Sequence, residues 1–137
     1  MADANSATRA AGRARVKSST PVFLVGDIQA TISWYQRIGF EAEYFPPGFG
    51  ILSRDDVRIF VQGHPGYKRP HDPGRYERDA WDLYIETDNV AALFAEFSDQ
   101  PEVEITGALS ERDYGQIEFE VTDPNGYVLV FAQPSDS

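Results

Sequence analysis

The stretch Asp113–Gln133, DYGQIEFEVTDPNGYVLVFAQ, holds two runs of alternating character, Ile117–Thr122 (IEFEVT) and Tyr127–Ala132 (YVLVFA). Between them stands Asp123-Pro124-Asn125-Gly126. Pro presets one turn dihedral, Gly reaches positive φ without a steric cost, and Asp and Asn side chains bond to nearby backbone, so the segment predicts a β-hairpin. Period-two alternation sends Phe119, Val121, Leu129 and Phe131 to one face and Glu118, Glu120 and Val130 to the other.

Upstream of this hairpin, Asp82–Thr87 (DLYIET) reads as a strand and Asp88 stands at a helix N-cap position. Val90, Leu93, Phe94 and Phe97 follow at helical spacing, and Val103–Thr106 reads as a further strand. The first half has the same plan. Pro21–Gly26 (PVFLVG) is a short apolar strand, Asp27 caps a helix whose apolar face is Ile28, Ile32, Tyr35 and Ile38, and Gly39 ends it. Phe40–Phe45 is a strand, Pro46-Pro47-Gly48 turns the chain, and Phe49–Ser53 pairs with Val57–Gln62 around Arg54–Asp56. Asp27 and Asp88 lie sixty-one residues apart, and the two halves correspond element by element. The fold class expected is α+β: two paired β-α-β-β-β modules, one duplicated unit, within a single domain. The modules cover residues 20–62 and 81–133, and a Gly- and Pro-dense loop at 63–80 joins them. Residues 1–19, rich in Ala, Ser and Arg, read as a tail outside the fold.

Charge narrows the function classes. The chain has 137 residues, 12 basic and 22 acidic, for a net −10. Four basic residues (Arg9, Arg13, Arg15, Lys17) sit in the tail beside one acid, Asp3. From Thr20 onward eight basic residues face twenty-one acidic ones, a net −13. Such a body repels nucleic acid and anionic membrane surfaces and favours cationic partners. No run of apolar residues is long enough to span a bilayer, and Met1–Thr20 has no apolar segment of the secretory kind, so a cytoplasmic location is expected. With no cysteine, disulfides, thiol nucleophiles and thiolate metal sites are all excluded.

The helix VGDIQATISWYQRIGF (Val25–Phe40), with its Trp34-Tyr35 and Gly39-Phe40 pairs, and the closing strand–DPNG–strand hairpin together resemble the glyoxalase / bleomycin resistance / extradiol dioxygenase superfamily over Thr20–Gln133. That resemblance implies two modules curving a mixed sheet around a shared cleft, and a homodimer with clefts formed within or between chains. In the metal enzymes of the superfamily four side chains meet in the cleft. Registered on Asp27, Asp88 and the DPNG turn, those positions fall on Thr20, Phe60, Asp82 and Val130, where only Asp82 is a strong ligand. No metal or other cofactor is therefore expected, and the chain looks most like the metal-free, bleomycin-resistance branch.

Strand alternation gives the cleft a face that includes Arg58, Phe60, Asp82, Tyr84, Glu86, Glu118, Glu120 and Val130. Aromatic walls with carboxylates suit a flat or cationic organic molecule through stacking and charge-assisted hydrogen bonds. Asp82 and Tyr84 hold the position central to the family. Trp81 flanks the long loop with Tyr67 and Tyr76, either as a lid, as a dimer contact or as ordinary packing, and Tyr114 sits in a turn that faces ligand in binders of this type. Trp34 and Tyr35 read as core. His64 and His71, seven apart in the loop, have no metal-ligand spacing and read as solvated. The expected function is a small-molecule binder that sequesters a cationic or aromatic ligand, an antibiotic being the implied case, in an acidic cleft and without chemistry. The alternative is a glyoxalase- or dioxygenase-like enzyme with displaced or absent metal ligands, which stoichiometric metal would favour, or a metal-free one using Asp82 or a cleft glutamate as base.

Overall fold

In the computed structural model, residues 12–75 and 77–135 are described. Asp3, Arg9 and Tyr76, named above, lie outside them. Strand β1 (Val22–Val25) leads into helix α1 (Ile28–Arg37). The Asp27 carboxylate accepts from Ala30 N at 3.0 Å, which caps the helix, and Gly39, at φ +88°, ends it. Strands β2 (Glu41–Phe45), β3 (Phe49–Arg54) and β4 (Val57–Gly63) form an antiparallel meander, and β4 returns to lie parallel to β1. The second module repeats the path with β5 (Leu83–Glu86), α2 (Val90–Ser98), β6 (Ile105–Glu111), β7 (Gln116–Thr122) and β8 (Val128–Pro134). The result is two four-stranded mixed sheets, ordered β1-β4-β3-β2 and β5-β8-β7-β6.

Two local readings are corrected. Asn89, not Asp88, caps α2, its side chain accepting from Ala92 N at 3.1 Å. Thr87 Oγ1 accepts from Asn89 N, so the chain turns one residue later than the acid suggested. The strand expected at Val103–Thr106 is β6, which starts at Ile105 and runs to Glu111. Its pairing with β7 shifts register on both sides of Gly107, and these irregularities erase the alternation that would have marked its length.

One side of each sheet packs on its own helix, and these helix sides meet in one continuous core. Phe23 of β1 stacks on Tyr127 at 4.1 Å, and Tyr127 OH donates to Leu24 O at 2.8 Å. Tyr35 OH, from α1, reaches across to Asp123 Oδ2 at 2.8 Å. The Asp123 carboxylate also accepts from Asn125 N and Tyr127 N, so the turn that makes the hairpin also staples the modules together. Burial pushes the Asp123 carboxyl above its usual value and the Tyr35 phenol well above its own. The other side of each sheet faces away from this core. On the first sheet that open face carries an apolar patch, with Val22 50% and Phe45 44% exposed beside Phe49 and Phe60, among polar residues such as Arg58 and Glu43.

Candidate functional site

The open face of the second sheet is built in rows across its strands. Tyr84 of β5 pairs with Val130 of β8, and Val130 with Glu120 of β7; the next row is Glu86, Ala132 and Glu118. Val128, Val130 and Ala132 form an almost fully buried floor on this side. Polar side chains and the 63–80 loop close over that floor.

Glu118 is the centre of the arrangement. It is only 3% exposed, and both of its oxygens are occupied. Oε2 accepts from Tyr84 OH at 2.7 Å. Oε1 accepts from Arg112 Nη1 at 2.9 Å and from Tyr114 OH. A buried carboxylate is stable when its lone pairs are satisfied in this way. The same bonds fix two phenols. Tyr84 stays 38% and Tyr114 49% exposed, so the hydroxyls are anchored while ring surface faces outward. Trp81 packs against Tyr84, ring centroids 5.1 Å apart, and Arg112 lies over the Tyr114 ring at 5.2 Å. Desolvation and the adjacent Glu118 charge push the Tyr114 phenol up to about 12 and raise Tyr84 further.

Arg112 also donates to Asp79 Oδ2 at 2.7 Å, which links the end of the loop to Glu118. Next to this cluster lies a pocket of about 200 Å³ lined by Asp79, Thr106, Gly107, Ser110, Arg112, Glu118 and Glu120 among others. Glu120 is partly buried there, which raises its carboxyl above the usual value, and its Oε2 accepts from Thr106 Oγ1 at 3.1 Å.

The residues singled out from sequence fall into separate groups. Trp81, Tyr84, Tyr114 and Glu118 come together, with Val130 as part of the floor beneath. Arg58 and Phe60 lie together on the first sheet, the guanidinium 5.3 Å from the ring. No hydrogen bond, ion pair or ring contact among the described residues joins them to the Glu118 cluster. Glu86 is exposed and touches the cluster only through its charge, which raises Tyr84.

Asp82 has a different partner set. Arg69 forks onto it, with Nη1 at 2.6 Å from Oδ2 and Nη2 on Oδ1, and Val128 N donates to Oδ2 at 2.8 Å. Arg75 lies within 3.4 Å of the same oxygen, and both arginines donate to Gly126 O. Arg69 also stacks over Tyr127 at 4.4 Å. Asp82 thus ties down the long loop. His64 and His71 are exposed in it.

Arg112 and Asp79 are the members that sequence reading missed. The signal available was Arg112 two residues before Tyr114 and six before Glu118, a hairpin spacing that only a full-length β6 makes visible.

The four superfamily metal positions do not fit a divalent ion: Phe60 and Val130 have no donor atom, and the Asp82 oxygens are held by Arg69 and Val128 N. Among the described residues no three His, Asp or Glu side chains are grouped to hold one elsewhere.

The sequence profile of the Glyoxalase/Bleomycin resistance protein/Dioxygenase superfamily matches residues 19–131. The chain belongs to that superfamily. No curated protein sequence matches it. Among solved structures this superfamily member is similar to a bleomycin-binding protein complexed with bleomycin, at 22% identity and TM-score 0.68, over 86% of this chain and 98% of the other. A bleomycin resistance determinant encoded on transposon Tn5 is 23% identical with TM-score 0.68, over 87% and 98%. The bleomycin-binding protein of bleomycin-producing Streptomyces verticillus, complexed with copper(II)-bleomycin, is 24% identical with TM-score 0.63, over 87% and 97%. No helix among the described residues is long and apolar enough to cross a membrane.

Proposed function

We propose that this superfamily member is a metal-free small-molecule binder that sequesters a flat, cationic or aromatic ligand, in the manner of a bleomycin resistance protein, without chemical turnover. The observation that carries the reading is the Glu118 cluster. Three donors hold a buried carboxylate, which anchors Tyr84 and Tyr114, and with Trp81 packed on Tyr84 they make an aromatic platform beside an acidic pocket. Fixed ring faces give contact area at little cost in side-chain entropy, and the surrounding carboxylates select positive charge. The bleomycin-binding structures of the same fold support the ligand class.

The apolar patch of Val22, Phe45, Phe49 and Phe60 on the open face of the first sheet suits a cover, and the reading supplies one in a second copy of the chain. A homodimer that sets Val22, Phe45, Phe49 and Phe60 of one protomer opposite its partner's aromatic platform would close the cleft and restore Phe60 to the site. The test is a fluorescence titration with bleomycin and a panel of cationic aromatic antibiotics. Trp81 lies on the platform whereas Trp34 is buried in the core, so saturable quenching that Trp81→Phe abolishes is the expected result. No saturable change with any member of the panel overturns the reading.

A further inference from the structure

Glu118 and Glu120 lie two residues apart on one face of β7, yet their surroundings assign them different tasks. Glu118 is closed: two phenols and a guanidinium take both oxygens. Glu120 accepts only from Thr106, and no other hydrogen bond or ion pair to it is made among the described residues. We propose that Glu120 is the specificity-determining carboxylate of the site, the counter-ion for an ammonium group on a planar aromatic ligand, while Glu118 is a positioning residue that never meets the ligand's charge. This inference rests on the binding reading above and adds to it the chemistry of the ligand's charged end.

Three observations support the assignment. Tyr84 and Glu120 flank Val130 in one row, each one strand away from it. Two strand spacings are about 10 Å, the reach of a bicyclic ring bearing an aminomethyl group. The pocket of about 200 Å³ beside Glu120 has room for such a head group and its water. Gly107, directly opposite Glu120, leaves the carboxylate space to lie across β6, where a Cβ would come within 3.2–3.3 Å of the Glu120 side chain. The charges that act on Glu120 are the acids Asp79 and Glu118 and the guanidinium of Arg75, which is itself engaged with Asp82 and Gly126. Partial burial raises the Glu120 carboxyl, and an arriving ammonium relieves that desolvation by replacing the lost water.

The experiment compares 2-naphthylmethylamine, a cation at neutral pH, with its neutral isostere 2-naphthylmethanol. Both are titrated against the full chain and against E120Q and E118Q. The wild-type protein is expected to prefer the amine by about tenfold, the size of one charge-assisted contact at a partly solvated site. E120Q should abolish that preference, chiefly by weakening the amine, and a melting curve close to that of the wild type shows that the variant is folded. E118Q should weaken both probes to a similar degree and keep their ratio. Saturable binding of both probes with no preference for the amine, or a preference that survives E120Q, overturns the assignment and leaves the binding reading standing. A preference lost in E118Q instead reverses the two roles and overturns it too. No saturable binding of either probe to the wild-type chain overturns the binding reading and this inference with it.

Discussion

Replacing Glu118 by alanine would leave the hydroxyls of Tyr84 and Tyr114 and one arm of Arg112 without their shared acceptor. Arg112 keeps Asp79, and both tyrosines can turn to water, so the loss falls in the range for a disrupted hydrogen-bonded carboxylate, about 1–3 kcal/mol in a urea melt. Tyr114 gives a sharper signature. Its folded phenol lies at about 12 against an ordinary 10.0, so the neutral form is favoured by folding. The associated stability is complete below pH 10 and is lost as pH rises through 12. Ultraviolet titration should therefore show a late-ionising tyrosine that moves back toward 10 in E118Q. These contacts were partly legible from alternation alone, because strand parity places Tyr84 and Glu118 on one face. The saturating donors were not legible. Arg112 comes from a hairpin whose length alternation does not mark, and Asp79 from a loop with no periodicity. Asp82, read as a ligand contact from its central position, is held by Arg69, whose approach depends on the path of a loop that no local pattern specifies.

The elements were read more accurately than their ends. Apolar spacing and the Asp27 cap located α1, while α2 slipped by a residue because Asp88 and Asn89 are both good caps and only backbone geometry chooses between them. Strand β6 shares only Ile105 and Thr106 with its expected span, because Gly107 and the register shifts beside it suppress alternation. The 63–80 loop is long for a connection inside a compact domain. Its physical content is the fork from Arg69 to Asp82. Asp82→Asn keeps an acceptor for Val128 N and weakens that fork, so the loop should open with little change in global stability. Trypsin cleavage after Lys68 and faster amide exchange across 63–75 should appear in the variant, while the melting midpoint moves by only a few degrees. A loss of several kcal/mol would show instead that the fork supports the whole sheet.

For the molecule as a whole, the shared core makes a definite thermodynamic statement. Phe23 on Tyr127 and Tyr35 on Asp123 join the modules through groups that are buried only when both are folded. Calorimetry should record a single cooperative transition, and Tyr35→Phe, which removes a donor from a buried carboxylate, should lower it by about 1–3 kcal/mol. Two resolved transitions would show the halves to be independent. The proposed homodimer predicts a sedimentation mass twice the 15.3 kDa of the chain. Val22→Asp together with Phe45→Asp should shift that mass to the monomer without unfolding it, since both side chains are already half exposed.

The separation of the helix-packed core from the open faces also bears on how such a protein changes over time. Residues that hold the scaffold and residues that present the proposed binding surface alternate along the same strands and face opposite sides of the sheet. Substitutions at Trp81, Tyr84, Arg112 or Glu120 alter the open side and leave Phe119, Val121, Leu129 and Phe131 packed as before. A lineage can thus drift from one guest molecule to another through folded, expressible intermediates. For the same reason a library randomised on the open face alone should yield mostly well-folded members, with its diversity expressed in what they hold.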